Sequence, residues 1–552
     1  MPQIIFLPAN LTITVPAGVT VLEAARRAGV LIEAPCNGAG HCGKCAVLVP
    51  TSDLGHLEVH VPPAAVDALT SSVLACHAEL LGDVSITVPL RKEQGLVIVG
   101  NGASRTVRLA PFITKSYDPL TDETTVRGGQ RILAAESGDT SAVNAGLVFD
   151  IGTTTLVAAL VDLTNGQELA SRSALNPQSL NAQDVLSRIR FAAVADGLIR
   201  QQRDVVGALN RLTAEVTAEA GISPEQVYEA VFSGNTCMLH LAAGVDPAPL
   251  GRLPFTPSFT GGLHLSSAKI GLDIAPEGQI YLPQVISAYV GADISAGILA
   301  SGLAGLPGVS LFIDIGTNGE LALALDGRLT ASATAAGPAF EGMNISCGMR
   351  AADGAVERFA ILPDGGIQVA VIGDSEPVGI CGSGLMDLVA ELLKHGIIGK
   401  SGRFTVLAGL PPALAERIEG EGAARLFRIS AKVALSQKDV RQVQLAKGAI
   451  RAGIELLLSG AGLQPSRLDR VLIAGSFGYH LSEESLLILG LLPPEAAGKI
   501  SFIGNTARSG GEMLLLNRHL RDELDGIVAG VTTVELAADP SFERVFVEAM
   551  KF

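Results

Sequence analysis

The sequence predicts a chain of two unequal parts, a small α+β module followed by a large α/β domain with an internal duplication. Four of the seven cysteines lie within the first 76 residues, and a strand–Asp–Gly-turn pattern at residues 146–162 recurs at residues 310–326. A chain of 552 residues is also too long for one hydrophobic core. We therefore predict a module at residues 1–90, a linker at residues 91–145 and a domain at residues 146–552, with lobes at roughly 146–308 and 309–552.

The composition argues against two classes of partner. The chain has 40 basic and 55 acidic residues, and its net charge of −15 disfavours binding to nucleic acid. Mean hydropathy is +0.40, but the uncharged stretch at residues 294–313 contains several glycines and Pro307, so it predicts a buried helix, a turn and a buried strand. The N-terminus lacks the pattern of a signal peptide. We expect a cytoplasmic protein with no membrane partner.

The first 90 residues predict a small mixed sheet with one early helix. Residues 3–8 and 10–15 predict a hairpin, and residues 19–28 have helical spacing of apolar side chains up to Gly29. Two apolar, β-branched runs at residues 46–50 and 84–89 predict further strands.

Four cysteines in this module predict a metal site. Cys36, Cys42, Cys45 and Cys76 have the spacing Cys-x5-Cys-x2-Cys-x30-Cys. Without a signal peptide, such a cluster indicates metal binding rather than disulfides. Three thiolates from one loop and one from a distant segment can enclose two irons. Four thiolates could also bind structural zinc, although zinc sites usually pair two Cys-x2-Cys motifs.

The module resembles the [2Fe–2S] ferredoxins with a β-grasp fold. Its first gap of five residues is similar to the adrenodoxin-like members rather than to the plant pattern of four. The resemblance implies a cluster that carries one electron.

For the linker at residues 91–145, short apolar runs predict one or two strands, and both a flexible connector and an extended strap remain open.

The two copies of the repeat predict paired anion-binding turns. Each copy has a buried strand, an Asp (Asp150 or Asp314), a Gly-centred turn and a second strand. The Asp side chains could hold a Mg²⁺ shell or orient water. Backbone N–H groups and hydroxyls of the turns could approach an anion. The predicted turn residues are Gly152, Thr153, Thr154, Thr155, Gly316, Thr317, Asn318 and Gly319.

These turns resemble the phosphate motifs of the superfamily of acetate and sugar kinases, actin and the heat-shock ATPases, whose domains are duplicated and ribonuclease H-like. A strand that begins at residue 470 leads into Gly475, Ser476, Phe477 and Gly478, which resemble the adenosine motif of that superfamily. Residues 231–241 lie where its connecting helix follows a strand. The resemblance implies an actin-like ATPase domain that binds ATP with Mg²⁺.

Further residues are candidates for the same site. Gly382, Ser383 and Gly384 open a helix and could contact an anion or ribose, or could serve close packing. Asp184 and Asp293 are candidates for water activation, but each could instead cap a helix. Lys447, on a helix predicted at residues 438–458, could reach the nucleotide or remain solvated.

The combination of both parts is similar to the reductive activators of corrinoid proteins. The resemblance is carried by the four cysteines and by segments such as DIGTTT, ALNPQ, SGNT, YVGADI, DIGTNGE, AGPAFEGMNISCGMR, ICGSGLMDLVAELL and IGNTARSGGEMLL. It implies ATP-dependent transfer of one electron from the [2Fe–2S] cluster to Co(II), which restores the Co(I) state for methyl transfer. The implied partners are a corrinoid protein of a methyltransferase system and an electron donor (a reductase or a reductant), and a homodimer is left open.

Three other functions remain open from the sequence. The first is an ATP-coupled electron donor to another low-potential enzyme. The second is a small-molecule kinase with an appended redox sensor, and the third is a chaperone-like ATPase with a structural metal module.

Overall fold

A computed structural model describes the chain at residues 1–8, 10–28, 30, 32, 45–65, 69–88, 96–100, 103–182, 184–342, 344–349, 351–405, 410–475 and 481–552. The chain divides into two compact units, Met1–Gly95 and Leu96–Phe552. The limits at residues 90 and 145 that we inferred from the sequence stay predictions.

The smaller unit is a mixed sheet with one helix. Its described elements are β1 (Gln3–Leu7), β2 (Leu11–Thr14), α1 (Val21–Arg27), β3 (Ala46–Pro50), β4 (Leu57–Val59), β5 (Ala64–Ala65), β6 (Thr70–Leu74), β7 (Ala78–Leu80) and β8 (Val84–Thr87). The main sheet has the order β2-β1-β8-β3-β6-β5, and β4 pairs with β7. Alternate residues such as Ile4, Phe6, Val47 and Val49 are fully buried against α1 and its neighbours. The predicted hairpin, helix and strands are confirmed.

Residues 96–137 are richer in strands than the sequence predicts. They form β9 (Leu96–Gly100), β10 (Ala103–Val107), β11 (Ile113–Asp118), β12 (Glu123–Gly128) and β13 (Arg131–Ser137). A β9–β10 hairpin precedes a β11-β12-β13 sheet. Val107, Ile113 and Val126 are buried in a core shared with Val148 and Val231 of the following domain. This part of the predicted linker therefore packs as part of the larger unit, and one apolar face per strand was too weak a pattern to recognise.

The first lobe contains β14 (Ala145–Ile151), β15 (Thr155–Asp162), β16 (Glu168–Leu175), α2 (Val185–Ala192), α3 (Gly197–Ala220), β17 (Val227–Gly234), α4 (Thr236–Ala242), β18 (Leu263–Ser266), α5 (Ser267–Ile270), β19 (Gln279–Leu282) and α6 (Ala292–Ser301). Its sheet has the order β16-β15-β14-β17-β19-β18.

The second lobe contains β20 (Val309–Ile315), β21 (Gly319–Leu325), β22 (Arg328–Thr334), β23 (Ala355–Ile361), β24 (Ile367–Val371), β25 (Gly379–Ile380), α7 (Gly382–Lys394), α8 (Pro412–Ala415), β26 (Ile418–Glu419), β27 (Leu426–Arg428), β28 (Ala434–Ser436), α9 (Gln437–Gly460), β29 (Arg470–Ala474), α10 (Glu483–Ile488), β30 (Ile500–Gly504), α11 (Thr506–Leu516), α12 (His519–Ala529), β31 (Val531–Thr533) and α13 (Phe542–Ala549). Its main sheet has the order β30-β29-β20-β21-β22-β31, and β23–β25 and β26–β28 form two small sheets.

The predicted duplication is confirmed by the two main sheets. In the first lobe, β14 pairs antiparallel with β15, β15 pairs antiparallel with β16, and β14, β17 and β19 are parallel. In the second lobe, β20, β21, β22, β29 and β30 repeat these directions in the same order. The turn after the first strand of each copy therefore lies at the same edge of its sheet.

The uncharged stretch at residues 294–313 forms buried elements of the larger unit. They comprise most of α6, a short turn and most of β20, and the two elements are buried almost throughout. This confirms the predicted buried helix, turn and buried strand. Among the described residues, no helix combines the length and the apolar character needed to cross a membrane.

Helices α6 and α11 cross between the two lobes at glycines. A Cβ atom on Gly510 of α11 would lie 2.2 Å from the carbonyl oxygen of Ala296 in α6. A Cβ atom on the adjacent Gly511 would lie 2.6 Å from the side chain of Val148 in β14. The helix from the second lobe thus approaches the backbone of α6 directly and packs against the Val148 side chain of the first-lobe sheet.

We predict that Gly510→Ala destabilises the larger unit because the methyl group would overlap a backbone carbonyl that cannot rotate away. Overpacking of this kind costs about 1–3 kcal/mol. Urea unfolding of the full chain would measure the loss. Gly526→Ala in α12 is the matched control, since a Cβ atom there meets nothing within 4 Å, and helix propensity should make it neutral or stabilising. Equal stability of both variants would contradict the close crossing.

Candidate functional site

A cavity of about 620 Å³ lies where the two lobes of the larger unit meet. It is lined by the turn after β14, the turn after β20, the first turn of α7 and the end of β29. Its volume is in the range of sites that enclose small-molecule ligands. The cavity therefore lies at the place that the duplicated motif predicts.

The two predicted turns face each other across this cavity. The hydroxyl oxygens of Thr154 and Thr317 are 3.2 Å apart, and Thr317 also donates to Glu341 at 2.6 Å. Each turn is closed by its own backbone, since the Gly152 N–H donates to the Thr155 carbonyl and the Gly316 N–H donates to the Asn318 carbonyl, both at 3.0 Å.

All but one of the eight predicted turn residues line the cavity. The exception is Gly319, which begins β21 and leaves no room for a side chain because Ile450 and Thr334 lie against it.

Acidic side chains from both lobes converge at one wall of the cavity. Asp150, Asp293, Asp314 and Glu320 all line it. Burial raises the pKa of Asp150 to about 6, against a hydrogen bond from Asn505. Burial raises the pKa of Asp293 to about 7, opposed by the Ile294 N–H and reinforced by the charge of Asp150.

Burial and neighbouring acids also raise the pKa values of Asp314 and Glu320. Burial, followed by the charges of Asp293 and Asp150, raises the pKa of Asp314 to about 8. Burial and the charges of Asp293 and Asp314 also raise the pKa of Glu320 well above its ordinary value. Like charges this close cannot all ionise unless a cation joins them.

These acids fit a Mg²⁺ ion that keeps other ligands. Among the described residues, no three acidic, histidine or cysteine side chains lie close enough to hold a metal ion by themselves. Mg²⁺ is usually bound by one or two carboxylates together with waters and substrate phosphates. The cavity wall therefore suits a cation that arrives with a phosphate ligand.

Glu320, Asn235 and Asn505 are among the polar cavity residues that sequence reasoning missed. Asn235 donates to the Thr153 hydroxyl at 3.0 Å, and Asn505 donates to Asp150 at 2.8 Å. Each asparagine caps a helix that follows a strand, within a Gly-Asn-Thr sequence that occurs once in each lobe. That repeated tripeptide, and the acid that follows the second turn in DIGTNGE, were signals that could have found them.

The glycine-rich helix start and the adenosine-like motif reach the cavity only in part. Gly382 and Ser383 line it, whereas Gly384 serves packing, because a Cβ atom there would lie 2.1 Å from the Val356 carbonyl oxygen. Gly475 also lines it, with a φ of +104°. Ser476, Phe477 and Gly478 lie outside the described residues.

Two predicted residues have other roles. Asp184 is not among the residues that line the cavity; it caps α2, accepting from the Ser187 N–H at 2.9 Å and from the Ser187 hydroxyl at 2.7 Å. Lys447 is buried in α9, donates to the Lys551 carbonyl and lies over the Phe552 ring. Asp184 thus has the helix-capping role that the sequence left open. Both expectations for Lys447 are wrong, because it neither lines the cavity nor is solvated, and its contacts fix the C-terminus.

The smaller unit brings two of the four predicted cysteines together. Cys45 precedes β3 and Cys76 follows β6, and these strands pair so that the two sulfur atoms are 3.3 Å apart. This separation is longer than a disulfide bond and short enough for both thiolates to bind one ion at about 2.3 Å. Cys36 and Cys42 lie outside the described residues.

Three family models match the chain and together cover most of it. The model for the 2Fe-2S iron-sulfur cluster binding domain matches residues 5–80, and the model for the RACo middle region matches residues 145–305. The model for the C-terminal domain of RACo, the ASKHA domain, matches residues 308–552. The first lobe therefore corresponds to the middle region and the second lobe to the C-terminal domain.

Individual relatives agree with the models. The corrinoid activation enzyme RamQ of Eubacterium limosum is 34% identical over 415 residues, which cover 73% of this chain and 69% of RamQ. The [Co(II) methylated amine-specific corrinoid protein] reductase of Methanosarcina barkeri is 25% identical over 71% of this chain and 73% of the reductase. A solved reductive activator for corrinoid, iron-sulfur protein has a TM-score of 0.76 at 29% identity, covering 100% of this chain and 98% of its own. This chain belongs to the family of reductive activators of corrinoid proteins.

Proposed function

We propose that this chain uses ATP to reduce a corrinoid protein of a methyltransferase system from the Co(II) to the Co(I) state. The observation that carries the proposal is that one chain holds both a cysteine site suited to an electron carrier and a two-lobed cleft suited to a nucleoside triphosphate. The names of its relatives identify the acceptor class, since one is a corrinoid activation enzyme and another a Co(II) corrinoid protein reductase.

The cysteine site supplies the redox half of the proposed function. Cys36, Cys42, Cys45 and Cys76 would hold a [2Fe–2S] cluster, which when bound supplies one electron at a time. Cys45 is fully buried and Cys76 is partly buried, so the protein shields this side of the site from solvent. An external reductase or reductant would restore the electron.

The cleft supplies the nucleotide half. The turns at residues 152–155 and 316–318 would face the phosphates of ATP from opposite lobes, with hydroxyls and backbone N–H groups as donors. Asp150, Asp293 and Asp314 would bind the accompanying Mg²⁺ directly or through water. A ligand that contacts both turns favours the arrangement in which the lobes are close, and this arrangement would be the one that the corrinoid protein recognises.

The proposed function predicts MgATP-dependent formation of Co(I). The protein, prepared without oxygen, would be mixed with reductant and a corrinoid protein in the Co(II) state, and the corrinoid absorption spectrum followed. Asp314→Asn should lower the rate by about 100-fold because it weakens cation binding. The exposed Asp273→Asn is the control and should match the wild type. Reduction at the same rate without nucleotide would refute ATP coupling, and reduction only of other low-potential acceptors would favour the alternative electron-donor function.

The two halves should be separable by mutation. Cys76→Ala should remove the visible absorption of the cluster and abolish corrinoid reduction, because a thiolate ligand is lost. ATP hydrolysis should persist, since the cleft lies entirely in the larger unit. Cys347→Ala, outside the cysteine site, is the control for both measurements. Retention of full absorption by Cys76→Ala would exclude Cys76 as a ligand.

Binding of MgATP should release protons between about pH 6 and pH 8. The pKa values of Asp150, Asp293 and Asp314, raised to about 6, 7 and 8, leave these carboxyls partly protonated in this range. A bound cation favours their charged forms, so affinity should rise with pH by up to about tenfold per unit for each proton released.

Calorimetric titrations in buffers of different ionisation enthalpy would count these protons. Asp314→Asn should release fewer of them than the wild type. The acids would not bind the cation if the heat of MgATP binding were the same in every buffer and the affinity for MgATP did not change between pH 6 and pH 8.

A further inference from the structure

A buried cation lies directly behind the first phosphate turn. Arg188 of α2 has a fully buried side chain and is the largest such residue in the described part of the protein. A buried guanidinium is usually paired with a carboxylate because an isolated buried charge is costly. Among the described residues, however, no carboxylate forms an ion pair with Arg188 within 4 Å. The charge of Asp184, the residue that caps α2, acts on Arg188 only from a greater distance.

The acceptors of Arg188 are neutral. One terminal nitrogen donates to the Thr153 carbonyl at 2.5 Å, the other donates to Gln178 Oε1 at 3.0 Å, and Nε donates to the Ala182 carbonyl at 3.1 Å. Burial lowers the pKa of Arg188 to about 10, which leaves the group cationic at neutral pH. The network satisfies its hydrogen bonds while its positive charge remains.

The same segment holds the turn at a second point. Asn176 Nδ2 donates to the Gly152 carbonyl at 2.9 Å, next to the Thr153 carbonyl that Arg188 holds. In a trans peptide the carbonyl and the following N–H point in opposite directions. Two successive carbonyls held on the buried side therefore direct the N–H groups of Thr153 and Thr154 away from Arg188. Successive N–H groups arranged in this way form a cradle for an anion.

Cations are scarce at this site. None of the described residues that line the cavity is a lysine or an arginine, whereas six of them are acidic: Asp150, Asp293, Asp314, Glu320, Glu341 and Glu357. Arg508, which acts electrostatically on Asp150, is already paired with Glu168 and Glu512. Phosphate groups that enter this cavity thus need positive charge beyond that of the metal ion.

We infer that Arg188 is a positioning residue for the phosphate groups of the bound nucleotide, because it holds the Thr153 carbonyl and places an unpaired positive charge behind the turn. The inference rests on the proposed nucleotide function and extends it to a residue that does not line the cavity. A purely structural arginine would hold the turn equally for any ligand. A phosphate-directed charge acts only on ligands that carry phosphate.

Two substitutions separate the hydrogen bond from the charge. Arg188→Met removes both. Gln178→Glu keeps the size of the side chain and places a carboxylate where Gln178 Oε1 accepts from Arg188, so it cancels the positive charge. It also removes the hydrogen bond from Gln178 Nε2 to the Gln201 carbonyl, and Gln178→Met, which removes that bond without adding a charge, is its control. Arg190→Met, an exposed arginine on the same helix, is the matched control. Calorimetric titration of the full chain with MgATP, MgADP and adenosine would measure each affinity, and circular dichroism would report folding.

Both test variants should bind MgATP and MgADP about 10- to 100-fold more weakly than the wild type, the range expected for a hydrogen bond to a charged group. Their affinity for adenosine should change by less than about twofold, and Arg190→Met should match the wild type throughout. Unchanged MgATP affinity, or an equal loss for adenosine, would overturn the inference. If Arg188→Met does not fold, the same comparison in Gln178→Glu decides. If the wild type bound neither nucleotide, the proposed nucleotide site itself would be wrong.

Discussion

The close crossing of α6 and α11 is the constraint on which the geometry of the cleft depends. Helix α6 packs between the two sheets and α11 packs against the sheet of the first lobe, and glycines at the crossing let the two helix backbones approach. Both helices begin at the cavity: Asp293 lies in the first turn of α6, and Asn505 caps α11 and binds Asp150. The separation of the helices therefore determines where the polar groups at the cleft can lie. Packing at a distance from the cavity fixes its walls.

The electrostatics of the cleft disfavour a close approach of the ionised acids of the two lobes in the absence of a cation. Four acids from both lobes line one wall of the cleft, and the charge of one raises the pKa of another. Bringing the lobes together without a cation therefore requires protonation or repulsion. In the proposed function, a nucleotide with its metal ion would remove the repulsion between the acids but would add the negative charge of its phosphates. None of the described lining residues is a lysine or an arginine that could offset this negative charge, whereas the positive charge of Arg188 lies just behind the lining.

The sequence was sufficient for the architecture but not for the complete site. A repeat of strand, Asp and turn predicts two similar sheets, because register and direction follow from the turn and the apolar pattern. It did not distinguish an acid that caps a helix from one that lines a cavity: Asp184 and Asp293 have similar flanks, and only the packing of α6 against α11 separates them. Glu320 and Asn505 act through contacts with Asp residues that are remote in sequence, and strands in residues 96–137 show only one weak apolar face each.

The free energies of these contacts indicate how much the bound nucleotide would have to contribute to the proposed coupling. The contact between the Thr154 and Thr317 hydroxyls is the direct link between the two turns, and one neutral hydrogen bond contributes about 1 kcal/mol, a population shift of roughly fivefold. An electron transfer that is uphill by about 180 mV, for example, would require about 4 kcal/mol. The hydroxyl contact alone is too weak for this. In the proposed function, a ligand that contacts both turns and the acids at once would offer a larger differential interaction, so we place the coupling in the nucleotide's own contacts rather than in a hydrogen bond between the lobes.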